Sequence, residues 1–146
     1  MSDEPLTNAA VEFLRAGYLI LNVMDRDEFT SLVTDDFVFE DRRSGFNYGR
    51  VDASGYAEMI RSTWDVGSGR PSWSMREVVA LRGQRIAAAE FVIEYGNDMH
   101  TDSIVCVRLD PQLRLLQREV HFDIDARDAA TAEVDRMHAE IEAGEA

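Results

Sequence analysis

Hydrophobic and polar residues change rhythm along this chain, and the changes separate helices from strands. Tyr18, Leu19, Ile20, Leu21, Val23 and Met24 are apolar nearly all round, while Glu12, Arg15, Asn22 and Arg26 leave a narrow polar stripe. That spacing predicts a helix from a Thr7 cap to about Met24, buried on more than one side. A short second helix is expected over roughly Glu28 to Leu32, then a strand over Phe37 to Glu40, then a loop over 42–51 carrying Gly45 and Gly49. Asp52 or Ser54 can cap a third helix ending near Trp64 or Asp65, and GSGRP at 67–71 reads as a turn. Alternation then predicts four strands, about 72–81, 86–95, 99–109 and 114–122, joined at RGQR, GND and DPQL. A last helix is expected from an Asp125 cap, with Ala130, Val134, Met137 and Ile141 as its apolar stripe.

Strand faces follow from period two, provided the register is right. Trp73, Met75, Val79 and Leu81 share one face with Ala87, Ala89, Phe91, Ile93 and Tyr95 if the connection at Gly83 is odd in length or bulged. The alternative would oppose Glu77 and Glu90, which like charges disfavour. The GND turn adds Ser103, Val105 and Val107 to this face, and an even connection at DPQL adds Leu116, Arg118, Val120 and Phe122. The polar members of this apolar face are then Glu77, Ser103, Arg118 and Thr101. The opposite, wetter face receives Gln117, Glu119 and His121, with Val78, Ile104 and Cys106 as apolar support for a partner.

Composition narrows the function classes. At 146 residues and 45% hydrophobic content the chain is one domain with a sizeable core. Residues 1–6 are expected to be flexible and 7–142 to form the domain. No apolar run is long enough to span a membrane. The first residues, MSDEPLTNAA, do not read as a signal peptide, and Cys106 is the single cysteine, so a cytoplasmic location is expected. A net charge of −13 opposes nucleic-acid and anionic-membrane binding. All 15 basic residues are arginine, which excludes a Schiff-base lysine and a phosphate-binding Walker loop. The three histidines lack metal-ligand spacing, so no metal and no cofactor are expected.

Candidate chemistry concentrates at Asp41. It shares a strand face with Phe37 and Phe39. A carboxylate there loses hydration, its pKa tends to rise, and it becomes suited to proton transfer near neutral pH. The plainer reading is that Asp41 ends the strand and caps the next turn. Arg118 could stabilise developing negative charge, as could Tyr18, or it could form a buried ion pair with Asp41 or Glu77. Trp64, Trp73, Glu77, Phe91, Ser103, Val105, Val120 and Phe122 are the candidate lining of a pocket for a small hydrophobic molecule. Such aromatics also serve as plain core. His121 falls on the wetter face, which suits exposure or a dimer interface better than catalysis.

The order helix, short helix, strand, helix, four-stranded meander resembles the nuclear transport factor 2-like, or cystatin-like, α+β cone, over roughly residues 7–136. FEDRRSG at 39–45 and VHFDIDARDAA at 120–130 make it most similar to the SnoaL-like domains. The resemblance implies a curved antiparallel sheet wrapped round a long N-terminal helix. It also implies a homodimer paired through the sheets and acid–base catalysis without metal or organic cofactor. LNVMDRDEFTSLVTDDFVFED resembles the steroid-isomerase pattern, with Asp41 at the catalytic base. Gly17 stands where that pattern has its oxyanion-binding Tyr, and Val105 where it has its second acid. Val120 stands at one Asp of the related epoxide-hydrolase pattern. The expected function is therefore a cofactor-independent isomerase, cyclase or lyase acting on a hydrophobic enolisable substrate. The alternative is a non-catalytic ligand-binding or dimerisation module.

Overall fold

Helix α1 (Ala9–Leu21) is capped by Asn8, one residue later than the sequence suggests. The Asn8 carboxamide oxygen accepts from Val11 N at 2.8 Å, and its Nδ2 donates to the carbonyls of Gly83 and Ile86, both at 2.9 Å. One buried side chain thus caps the helix and ties it to a turn far along the chain, which a solvated Thr7 could not do. The computed structural model describes residues 7–21, 31–44, 49–56, 58, 72–96 and 99–144. The expected end of the first helix, most of the short second helix and most of the third lie outside these.

The strands are β1 (Val33–Asp41), β2 (Arg50–Asp52), β3 (Ser72–Arg82), β4 (Ile86–Gly96), β5 (Met99–Leu109) and β6 (Leu116–Asp123). They form one sheet in the order β2-β1-β6-β5-β4-β3. The sheet is mixed: β1 runs parallel to β6, and every other pair is antiparallel. Strand β2, three residues within the expected 42–51 loop and just beyond it, is too short to show a period. Asp52 then accepts from Gly55 N at 2.9 Å and starts a helical turn at 53–56. A side chain at Gly55 would lie 2.8 Å from Val51 Cβ, so glycine permits this close crossing. Helix α2 (Arg127–Glu142) begins after Ala126 with no side-chain cap, so Asp125 does not serve as one.

Two apolar layers hold the sheet. On the α1 side, Ala10, Val11 and Leu14 pack with Phe37, Phe39, Tyr56, Trp73, Ala87, Ala89, Phe91, Ile93, Val105 and Val107. On the α2 side, Ala130, Val134 and Met137 pack with Ile86, Ala88, Ile104, Cys106, Val120 and Phe122. The face assigned by sequence to a dimer partner is therefore covered by the chain's own last helix at Ile104 and Cys106, both fully buried. Val78 lies on the α1 side instead.

The registers explain which faces were foreseen. The Gly83–Arg85 connection is odd in length, with Gly83 at φ +54°, and it brings Leu81 opposite Ala87. The ladder slips twice between Met75 and Ala80. Those slips carry Val78 inward and put Val79 under α2, and they leave Glu77 outside, where it meets Arg127 at 3.2 Å. Glu77 is thus an exposed ion-pair partner and not a lining residue. The β4–β5 ladder matches the expectation, pairing Phe91 with Ser103 and Ala89 with Val105.

At β6 the expectation reverses. Leu109 pairs with Leu116 as an even connection requires, but Arg108 pairs with Arg118, so Gln117 is an extra, bulged residue. Beyond it every side chain changes face. Arg118, Val120 and Phe122 turn to α2, and Glu119 and His121 turn to the α1 side, opposite Val107 and Val105. Gln117 is pinned by Arg85 Nη2 at 3.0 Å and Arg108 Nε at 3.1 Å. Arg118 faces Glu133 at 3.5 Å, Glu40 at 3.8 Å and Glu140 at 3.9 Å, and takes no part in a pair with Asp41.

Asp41 ends β1 on the α1 face, as read from its alternation with Phe37 and Phe39. Its partner is Arg43, which forks onto it with Nε at 2.9 Å and Nη2 at 2.8 Å, while Arg43 N adds a third bond at 3.0 Å. Both side chains are almost wholly buried.

Two outcomes are expected from this. Asn8→Ala removes a cap and two buried bonds and should lower stability by about 2 kcal/mol in urea unfolding. Asp41→Asn removes the buried carboxylate onto which Arg43 forks and should cost about 3 kcal/mol at neutral pH. Because the folded-state pKa of Asp41 is depressed, its contribution is complete above its unfolded value of ~3.9 and is lost as pH falls through the folded value. The wild type and Asp41→Asn stability curves should therefore converge in acid below about pH 4; parallel curves would contradict the pairing.

Candidate functional site

The bulge at Gln117 sets a polar group into the apolar α1 face. Tyr56, delivered by the helical turn after β2, is fully buried and stacks on Phe39 at 4.6 Å and on Phe37 at 5.3 Å between ring centres. Its hydroxyl donates to Glu119 Oε2 in a short hydrogen bond. The same oxygen lies 2.7 Å from His121 Nε2. Glu119 and His121 are 0% and 1% exposed, and the bond between them offsets part of the cost of burying both. The His121 ring meets Phe39 edge-on at 4.9 Å and Trp73 at 6.2 Å, which fixes its plane.

The tautomer follows from this network. A carboxylate oxygen that already accepts from Tyr56 accepts equally from Nε2–H, which leaves the lone pair on Nδ1. Nδ1 is buried and meets no hydrogen-bond partner among the described residues. Ser103 Oγ, on the same face, is also buried without one. An imidazole oriented by a carboxylate, with its other nitrogen open, is the arrangement general-base chemistry requires.

Asp41 sits beside His121 in the β1–β6 ladder but is not poised as a base. Burial pushes its pKa up, yet the two-pronged Arg43 guanidinium, its backbone N–H and the neighbouring His121 outweigh that and hold it below the usual carboxylate range. Burial pushes the Cys106 thiol up, so it is an inert filler under α2. Among the described residues no cluster of His, Cys, Asp or Glu could hold a metal ion.

Trp73, Phe91, Ser103 and Val105 lie on the α1 face where the sequence put them. Arg118, Val120 and Phe122 are on the other face, and Glu77 is at the surface, because bulges in β6 and β3 reverse the alternation. Tyr18 falls within α1, but its side chain, like the whole of Trp64, lies outside the described residues. Tyr56 escaped the sequence reading, which put Glu119 and His121 on the opposite, wetter face. A signal for the last two was present: the apolar stripe of α2 needs an apolar sheet face, and Val120 and Phe122 supply it alongside Ile104 and Cys106.

No protein-family profile matches the chain, and no curated protein does. Solved structures do resemble it. A protein of unknown function with a cystatin-like fold from Methylobium petroleophilum is 19% identical at a TM-score of 0.64, covering 82% of this chain and 78% of that one. RV0760c from Mycobacterium tuberculosis, in complex with estradiol-17beta-hemisuccinate, is 14% identical at a TM-score of 0.62, covering 82% and 97%. The Delta 5-3-ketosteroid isomerase of a Mycobacterium species is 14% identical at a TM-score of 0.60, covering 79% and 92%. At these identities the likeness concerns architecture, and with the strand order and helix placement described above it establishes that the chain folds as a cystatin-like, nuclear transport factor 2-like α+β cone.

Proposed function

We propose that the protein binds a small, flat hydrophobic molecule on the α1 side of its sheet and moves a proton on it without a cofactor. The reaction class is that of an isomerase, cyclase or lyase acting on an enolisable carbonyl compound. The observation that carries this reading is His121, buried and held by Glu119 through Nε2 at 2.7 Å, with Nδ1 buried and without a hydrogen-bond partner among the described residues. His121 replaces Asp41 as the base, since Arg43 withholds the Asp41 carboxylate from proton transfer.

The step is simple to write. Nδ1 takes a proton from the carbon next to a carbonyl, the C–H electron pair becomes the enolate, and Glu119 stabilises the imidazolium. The Ser103 hydroxyl, buried on the same face and unpaired among the described residues, is the donor for the enolate oxygen. Return of the proton to a different carbon completes an isomerisation, and no electrons are gained or lost. A structural neighbour that holds estradiol-17beta-hemisuccinate supports the ligand class.

A second reading is favoured by one observation. The Asp41–Arg43 lock is what a binding module needs, because it stabilises the end of β1 and removes a base. In that reading the interior holds a ligand and does no chemistry.

2-Tetralone, a flat hydrophobic ketone with acidic α-protons, separates the two. In D2O the protein should accelerate exchange of those protons for deuterium, followed by NMR. His121→Gln should reduce the exchange rate by about 10²-fold or more while leaving tetralone binding, read from tryptophan fluorescence, nearly unchanged. Binding with no exchange above buffer would reject the proton-transfer reading in favour of the binding module.

A further inference from the structure

Among the described residues, His121 Nδ1 and Ser103 Oγ are buried on the α1 face without partners, and they differ in what they offer a ligand, which defines a ligand class. In the neutral imidazole whose Nε2–H donates to the Glu119 carboxylate, His121 Nδ1 carries the lone pair and only accepts. Ser103 Oγ can donate. Val105 is the ladder partner of His121, and Ser103 lies two residues along β5 on the same face, paired with Phe91 on β4. The two side chains are therefore diagonal neighbours with Cα atoms about 7 Å apart. Around them stand Trp73 and Phe91, with ring centres 6.3 Å apart, and Trp73 is 6.2 Å from the His121 ring. Leaving two such atoms unpaired in this apolar setting is costly unless a bound molecule completes them.

We propose that the interior recognises a flat apolar ring system that presents an N–H or O–H donor beside a carbonyl oxygen. The donor goes to His121 Nδ1 and the carbonyl accepts from Ser103 Oγ. A lactam edge fits: its nitrogen and oxygen, each making a hydrogen bond of about 2.9 Å, bridge a gap of this size. The enol of a hydroxy-ketone or dicarbonyl compound presents the same pair. This inference rests on the reading of the α1 face as the ligand site, but not on any proton transfer there.

The pair 2-quinolone and coumarin tests it, because the two have the same shape and carbonyl and differ in N–H against ring oxygen. By calorimetry 2-quinolone should bind the wild-type protein about tenfold more tightly, the value of one buried hydrogen bond. His121→Phe should abolish that preference. Ser103→Ala should weaken both ligands by a similar factor of several, since both keep the carbonyl. In long-range proton–nitrogen NMR of the wild type, only 2-quinolone should shift His121 Nδ1, a readout that needs no variant. Equal affinities in the wild type, or no binding of either compound, would overturn the proposal. A tenfold preference without exchange of 2-tetralone protons would support it and reject the catalytic reading alone.

Discussion

Which way each side chain of β6 faces decides both sides of this molecule. The strand is central, with β1 on one edge and β5 on the other, and all its residues except Asp123 are buried. A strand covered on both faces has no solvated side on which to hide a polar residue. Its polar side chains each need partners, and Gln117, Arg118, Glu119 and His121 each hold at least one. The bulge at Gln117 sorts them. It is itself held by Arg85 and Arg108, so the residue that breaks the alternation is also the best anchored.

The sorting places opposite chemistry on opposite faces. Beneath α2, Arg118 joins a network with Glu40, Glu133 and Glu140, extended by Arg42 at 3.1 Å from Glu133 and by Arg108 at 3.0 Å from Glu140. Here nearly every charge has a counter-charge, and the network docks the helix. On the α1 side, Glu119 is held by hydrogen bonds from Tyr56 and His121, while His121 Nδ1 and Ser103 Oγ are buried without partners among the described residues. A network of paired charges is a structural device, whereas unpaired neutral groups in an apolar setting are what a ligand can complete. Asp41 belongs to the first kind although it lies on the second face, because Arg43 answers it within the same turn.

The sequence by itself determined the first and last helices, five of the six strands and most of the strand faces. Alternation placed Phe37, Phe39 and Asp41 on one face of β1, and Phe91 and Ile93 inside β4, because those periods are local and unbroken. The odd connection at Gly83 was also legible, since only one parity joins two apolar faces. Tertiary structure decided the rest. A bulge adds one residue and leaves no mark on the composition of a strand, yet it exchanges the faces of everything beyond it. At β6 the choice between Arg118 inside and His121 inside was made by partners distant in sequence: the acidic side chains and apolar stripe of α2 on one face, and Tyr56 on the other. Tyr56 lies in the helical turn that follows β2, and its place beside Glu119 came from the fold alone.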